Sequence, residues 1–277
     1  MLLPRGFANF TEATLGFALS AAGEAIYLVN SNQTRVLDAI LFEGQESGVS
    51  TGRAPDGGPG LYRLAAPTPG TTNSAAREKQ IVINEIMYHP ITDNENDEWV
   101  ELFNRGPGAV DLGGWRFTAG IEFTIPSNTV VAANSYLVVA KNVSRLLSAY
   151  TNLQAANCVG NFSGSLRNSG ERLALAMPDT IVSTNGGLAV TNLIDIVVDE
   201  VSYGQGGRWG QWADGGGSSL ELMDARGDNR LPSNWADSDE TGKAPWTTVS
   251  VTALLDNGGT TMPFRSEEHT SELQSPC

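Results

Sequence analysis

The sequence predicts an all-β chain built as an antiparallel β-sandwich, and three observations carry that prediction. Short runs rich in β-branched and aromatic residues recur along the chain, clusters of Gly, Pro and Asn separate them, and helical periodicity is nearly missing. Taken in order, the β-rich runs cover residues 81–87, 98–103, 115–117, 136–140, 172–176, 194–203 and 219–223. The turn signals between them include Asn104-Arg105-Gly106-Pro107-Gly108, Pro126-Ser127-Asn128 and Asp214-Gly215-Gly216-Gly217. In the second run Trp99 and Phe103 alternate with Val100 and Leu102, so this strand offers apolar atoms to both faces, as a central strand covered on both sides does. Gly113-Gly114 permits a tight turn before Trp115, whose indole is expected in the core between the sheets. The one helical pattern spans residues 142–150, where Leu146, Leu147 and Tyr150 recur at spacings of three and four.

Composition narrows the function. The 277-residue chain carries 17 Lys and Arg against 31 Asp and Glu, a formal charge of -14, which disfavours direct contact with nucleic acid. Two cysteines, Cys158 and Cys277, cannot frame a disulfide scaffold, and two histidines, His89 and His269, cannot supply an imidazole-rich metal centre. No run approaches the roughly 20 apolar residues of a membrane span, and the first residues show no signal peptide.

The chain repeats itself. Residues 19–28 align with 166–175, pairing Gly23-Glu24 with Gly170-Glu171; residues 36–42 align with 197–203, and 48–58 with 206–216. The second copy carries an insertion around residues 183–187. Nothing before residue 10 matches residues 81–160, so the first copy is read as the second half of a sandwich, in a chain truncated upstream. The organisation expected is therefore a truncated β-sandwich over residues 1–66, a Pro/Thr/Ser-rich linker over 67–80 and a complete domain over 81–245. Residues 246–264 read as the opening of a further β domain. Residues 265–275 match, residue for residue, the in-frame translation of a widely used sequencing-adapter oligonucleotide; the segment 265–277 is read as assembly read-through, not native, which removes His269 and Cys277 from any functional argument.

The second copy resembles the lamin tail domain, especially the bacterial version found in large secreted or surface proteins. The resemblance rests on Ile83-Asn84-Glu85-Ile86-Met87, Glu98-Trp99-Val100-Glu101-Leu102-Phe103-Asn104 and Val110-Asp111-Leu112-Gly113-Gly114-Trp115. It continues through Phe123-Thr124-Ile125-Pro126, Tyr136-Leu137-Val138-Val139-Ala140, residues 166–175, Ser219-Leu220-Glu221-Leu222 and Asn234-Trp235. It implies an immunoglobulin-like sandwich with no enzymatic activity of its own, located outside the cell or on its surface. Its implied partners are a protein or glycan surface and the neighbouring domains of one parent protein. The alternative is a non-catalytic segment of an extracellular hydrolase, nuclease or spore-coat-H-like kinase whose catalytic domain lies outside these residues.

Candidate sites are few. Asp93, Glu95 and Asp97 place oxygens at alternate positions, as calcium loops do, but Glu98 stands where such a loop needs Gly and Asn104 where it needs Glu; a solvated acidic turn is expected, with Ca2+ as the weaker reading. Asp38 and Asp199 occupy matching places in matching strands and are both expected to point inward, accepting backbone N–H bonds as structural acids. His89 before Pro90 reads as an elbow-loop residue, with no Gly-x-Ser-x-Gly nucleophile turn anywhere. Cys158, among apolar neighbours, reads as a small core residue. Trp209 and Trp212 align with Thr51 and Ala54, so they are expected to project from a loop specific to the second copy, either as a ligand platform or packed over their own sandwich edge.

Overall fold

A computed structural model describes residues 16–185, 188–238, 247–255 and 258–266. The N-terminal part contributes β1 (Glu24–Val29) and β2 (Val36–Phe42), paired as a hairpin, then β3 (Thr51–Arg53) and β4 (Leu61–Arg63), paired as a second. The chain continues through β5 (Ile81–Met87), β6 (Trp99–Asn104), β7 (Val110–Asp111), β8 (Arg116–Ala119), β9 (Val130–Val131), β10 (Ser135–Ala140), helix α1 (Val143–Ala149) and β11 (Cys158–Gly160). After these come β12 (Arg172–Asn185), β13 (Leu188–Ser202), β14 (Leu220–Leu222), β15 (Trp235–Asp237), and a last hairpin of β16 (Thr247–Leu255) with β17 (Gly258–Ser266).

Two sheets make the sandwich: a six-stranded sheet in the order β11-β10-β6-β5-β14-β15 and a three-stranded sheet in the order β13-β12-β8. Ile83, Val100, Leu102, Leu137, Leu220 and Leu222 from the first meet Phe117, Leu173, Leu175 and Val201 from the second, with Tyr203 just past β13, in one buried core. A bulge in β5 lets Ile83 and Ile86, an odd number apart, reach that same core, because the extra residue restores the face that strict alternation would lose. β6 is covered on both sides, as its sequence implies. Val100 and Leu102 face the sandwich, while Trp99 joins Met87, Val138, Ala140, Cys158 and Leu146 in a second cluster beneath α1.

Helix α1 starts where Asn142 caps it, the side chain Oδ1 accepting from the Arg145 N–H at 3.1 Å, and it buries Leu146. The helix also explains a departure from the antiparallel plan: β10 and β11 pair in parallel, which demands a crossover, and α1 lies in that crossover.

Two expectations need correcting. Trp115 is half-buried, packed against the rim of the core, while Phe117 two residues later is 5% exposed and fills it. Gly114 at φ +83° closes the turn in which Trp115 N–H donates to Leu112 O, so the indole lies ahead of β8 at the end of the sandwich. The expected linker over 67–80 is not all linker. Leu64 bridges Ala76 antiparallel, with Ala65 N–H donating to Ala75 O and Arg77 N–H to Arg63 O, so the chain folds back on β4. Residues 267–277, where most of the adapter-like segment falls, lie outside the described residues.

The hierarchy of anchors is testable by denaturant unfolding. Phe117→Ala is expected to cost roughly 3–5 kcal/mol, as emptying an aromatic core site does, and Trp115→Ala clearly less; the reverse order would make Trp115 the anchor.

Candidate functional site

The best-built polar site lies where the two sheets meet. Asp199, on β13, has a fully buried side chain. Its position is set by a bulge: Leu175 faces Asp199 and Ala176 faces Val197, leaving Val198 as the extra residue. The carboxylate accepts from the Ile83 N–H at 2.7 Å, from Asn229 Nδ2 at 2.6 Å and from Lys79 Nζ at 2.5 Å. Asn229 Oδ1 in turn accepts from Lys79 at 3.1 Å, and Trp235 Nε1 donates to Asn229 O at 2.7 Å. Two carboxylate oxygens thus take three donors and join β13 to β5. This is a satisfied charge, with its capacity spent on the protein's own groups.

Above Asp199 opens a cavity of about 590 Å³ between the N-terminal hairpins and the sandwich. Arg63, Arg77, Lys79, Arg105, Arg172, Arg226 and Arg230 line it, together with Glu43, Glu78, Asp199, Glu200 and Asp228. Most of these charges hold each other: Arg172 bonds Glu43 and Glu200, and Arg230 bonds Asp228. Arg230 also lies 4.1 Å over the Tyr62 ring and donates to Leu61 O, while the Tyr62 hydroxyl donates to Asp228 at 3.0 Å. Burial pushes the Asp228 carboxyl up, but the hydrogen bonds from Arg230 outweigh it and hold the group at about 2. The cavity wall is a clamp between the two parts of the chain, held by paired charges.

The other sequence candidates are dispersed. Asp38, unlike Asp199, is exposed and pairs with Arg53 at 2.9 Å; the β1–β2 hairpin is a two-stranded sheet with largely exposed side chains, so the carboxylate is not enclosed. In the acidic turn, Asn94 caps a 3₁₀ turn over Glu95–Asp97, Asp97 is bound by Arg145 and Thr92, and Asp93 at φ +56° faces His89 Nε2 at 3.2 Å. Hydrogen bonding from Arg145 lowers the Asp97 carboxyl, and among the described residues no group of three His, Cys, Asp or Glu converges on a point. His89 Nδ1 lies 2.7 Å from Asp214, and Gly215 N–H donates to His89 O, so the histidine ties the elbow after β5 to the Gly-rich loop. Trp209 and Trp212 are both half-buried: Trp209 packs against the core with its ring 6.3 Å from that of Trp235, and Trp212 closes over Gly216. Cys158 is buried, and burial raises its thiol pKa.

Besides Asn229, the buried polar residues Asn104 and Glu98 carry bonds that the sequence did not signal. Asn104 donates to Gly108 O, Val131 O and Ala132 O and accepts from Gly106 N–H, clasping the turn after β6 to β9. Glu98, 2% exposed, accepts from the Leu166 N–H at 2.9 Å. Burial pushes its carboxyl up to about 7, against the pull of that hydrogen bond. The signal in sequence was its adjacency to Trp99 at the edge of the acidic run, where a strand was already expected.

The comparisons with known proteins agree with this geometry. The family model described as Lamin Tail Domain matches residues 74–231, more than half of the chain. No curated protein and no solved structure gives a significant match. No helix among the described residues is long and apolar enough to cross a membrane.

Two outcomes follow. Asp199→Ala leaves Lys79, Asn229 and the Ile83 N–H facing an emptied site and is expected to cost about 3–5 kcal/mol, whereas Asp38→Ala, at an exposed pair, should change stability by under about 1 kcal/mol; urea unfolding of both variants checks the contrast. For Glu98 the folded pKa lies above the unfolded one, so its contribution is full below pH about 4.5 and is lost as the pH rises through about 7. Glu98→Gln should therefore match the parent near pH 4.5 and exceed it by about 2–3 kcal/mol at pH 8; equal stability at both pH values would place the carboxyl in water.

Proposed function

The chain belongs to the lamin tail domain family, and from that premise we propose that its complete sandwich is a contact and spacing module within a larger exported bacterial protein. The family supplies a non-catalytic immunoglobulin-like β-sandwich; the exported setting rests on the resemblance to the bacterial members of secreted and surface proteins. One structural observation carries the contact role. The β12–β13 ribbon is 14 and 15 residues long, far beyond the length paired with β8, and its outer part exposes apolar side chains. Thr180 pairs with Leu193 and Val182 with Thr191, so Val182 and Leu193 are diagonal neighbours on one face, 70% and 63% exposed. An apolar pair held out on a paired ribbon suits a protein surface, because it offers area to bury without any refolding of the sandwich. The buried acids are consistent with that reading, since Asp199 and Glu98 spend their acceptor capacity on the protein's own backbone.

A photocrosslinking residue in place of Val182, in the parent protein on its cells, is expected to capture a protein partner, either a neighbouring domain or a separate chain. Val182→Ser with Leu193→Ser should remove that capture while leaving the unfolding curve unchanged. Crosslinks to carbohydrate alone, or protein capture unaltered by the double substitution, would end the contact reading.

A further inference from the structure

The two hairpins that the repeat aligns are the same object in two environments. In the sandwich, Gly170 at φ +91° sits against Tyr203 O, Arg167 N–H donates to the Glu171 carboxylate at 2.9 Å, and the strands pair with Leu175 opposite Asp199 after a one-residue bulge. In the N-terminal hairpin, Gly23 at φ +105° sits against Phe42 O, Ser20 N–H donates to the Glu24 carboxylate at 2.6 Å, and Leu28 lies opposite Asp38 after a one-residue bulge. Turn, capping bond, register and bulge coincide residue for residue. Burial does not. Leu173 and Leu175 are 0% exposed, while their counterparts Ile26 and Leu28 are 38% and 57% exposed. Asp199 has a fully buried side chain, while that of Asp38 is 53% exposed. The outer edge of β12 is taken by β8; β1 pairs with β2 in a two-stranded sheet among the described residues.

We propose that the inner face of the β1–β2 hairpin and the edge of β1 left unpaired among the described residues form a docking surface for a further stretch of the same polypeptide, a lamin-tail first half equivalent to residues 81–140. The argument rests on the mismatch between a bulged, glycine-turned hairpin with sandwich register and the exposure of its apolar face among the described residues, and on the copy beside it that shows what covers such a face. The chemistry of the occupant is specified. It brings an apolar sheet face for Ile26, Leu28 and Ile40, a strand that pairs with β1 as β8 pairs with β12, and a backbone N–H that reaches Asp38 as that of Ile83 reaches Asp199. On docking, Asp38 exchanges its surface pair with Arg53 for that buried donor. The inference is independent of the contact role assigned to the β12–β13 ribbon.

The test uses the full chain with residues 74–162 duplicated in place of residues 1–15, compared with the chain as it stands. Amide hydrogen exchange across residues 24–29 and 36–42 is expected to slow on the order of 100-fold in the extended chain. Asp38→Ala should restore fast exchange there, as should Leu28→Ser with Ile40→Ser, while all three substitutions leave exchange in β12 and β13 unchanged. Equal exchange with and without the extension overturns the proposal. So does slowing that survives the substitutions, which marks non-specific coverage. If the unextended chain is itself protected in proportion to its concentration, the face is covered by a second copy, and the proposal fails.

Discussion

The sandwich turns on one buried carboxylate. Hydrophobic burial draws two sheets together without fixing how one is set along the other, because apolar contact has little directional preference. Asp199 supplies the direction. Its bonds to the Ile83 N–H, Lys79 and Asn229 join β13 to β5, and Trp235 through Asn229 O draws the β15 edge into the same network. A slip of β13 by one residue would swing the charge to the opposite face and leave a buried backbone N–H without its acceptor, so the polar cluster penalises wrong registers more than it rewards the right one.

Around that point the backbone makes its own provisions. The bulge before Asp199 and the bulge in β5 lie on the two strands the carboxylate joins, and each shifts the alternation by one so that apolar residues on either side still face the core. A strand with unbroken alternation could not place Ile83 and Ile86 in one core. The clamp of Tyr62, Asp228 and Arg230 then attaches β4 to the loop before β15, so that the N-terminal hairpins lean on the sandwich through paired charges around a cavity. Such contacts hold position with modest net energy, since each charge gives up water to gain its partner.

What could be read from the sequence follows from how local each determinant is. The strands, the Gly-rich turns, the helix over 143–149 and the repeat were legible because alternation, turn residues and the Gly-Glu pair act within a few residues. The choice of Phe117 over Trp115 as the core aromatic was not: the two lie two residues apart in sequence, and where the turn ends and β8 begins decides which is enclosed. The parallel pairing of β10 and β11 was hidden for a similar reason, since it depends on where a crossover lands. In the site, Asp199 was visible through its repeated apolar flanks, but Lys79 and Asn229 come from segments with no periodic signal. Glu98 looked like one more acid in a charged turn, and its burial is set by the distant Leu166 segment laid over it.

The contrast between Asp38 and Asp199 takes this further, because there the local signal is held constant. Two segments with the same turn, bulge and register differ in that one carboxylate is enclosed and the other faces water. Local sequence therefore specifies the hairpin completely enough to be built twice, while burial, and with it most of the free energy, belongs to the sheet opposite. A carboxylate placed by local geometry and satisfied only from across the sandwich has two states: a surface ion pair when the hairpin stands uncovered, and a buried acceptor once a first strand arrives. The apolar residues flanking Asp38 keep the pattern of the second state although the hairpin occupies the first, and that pattern is what ties the exposed face to a covering sheet rather than to bulk water.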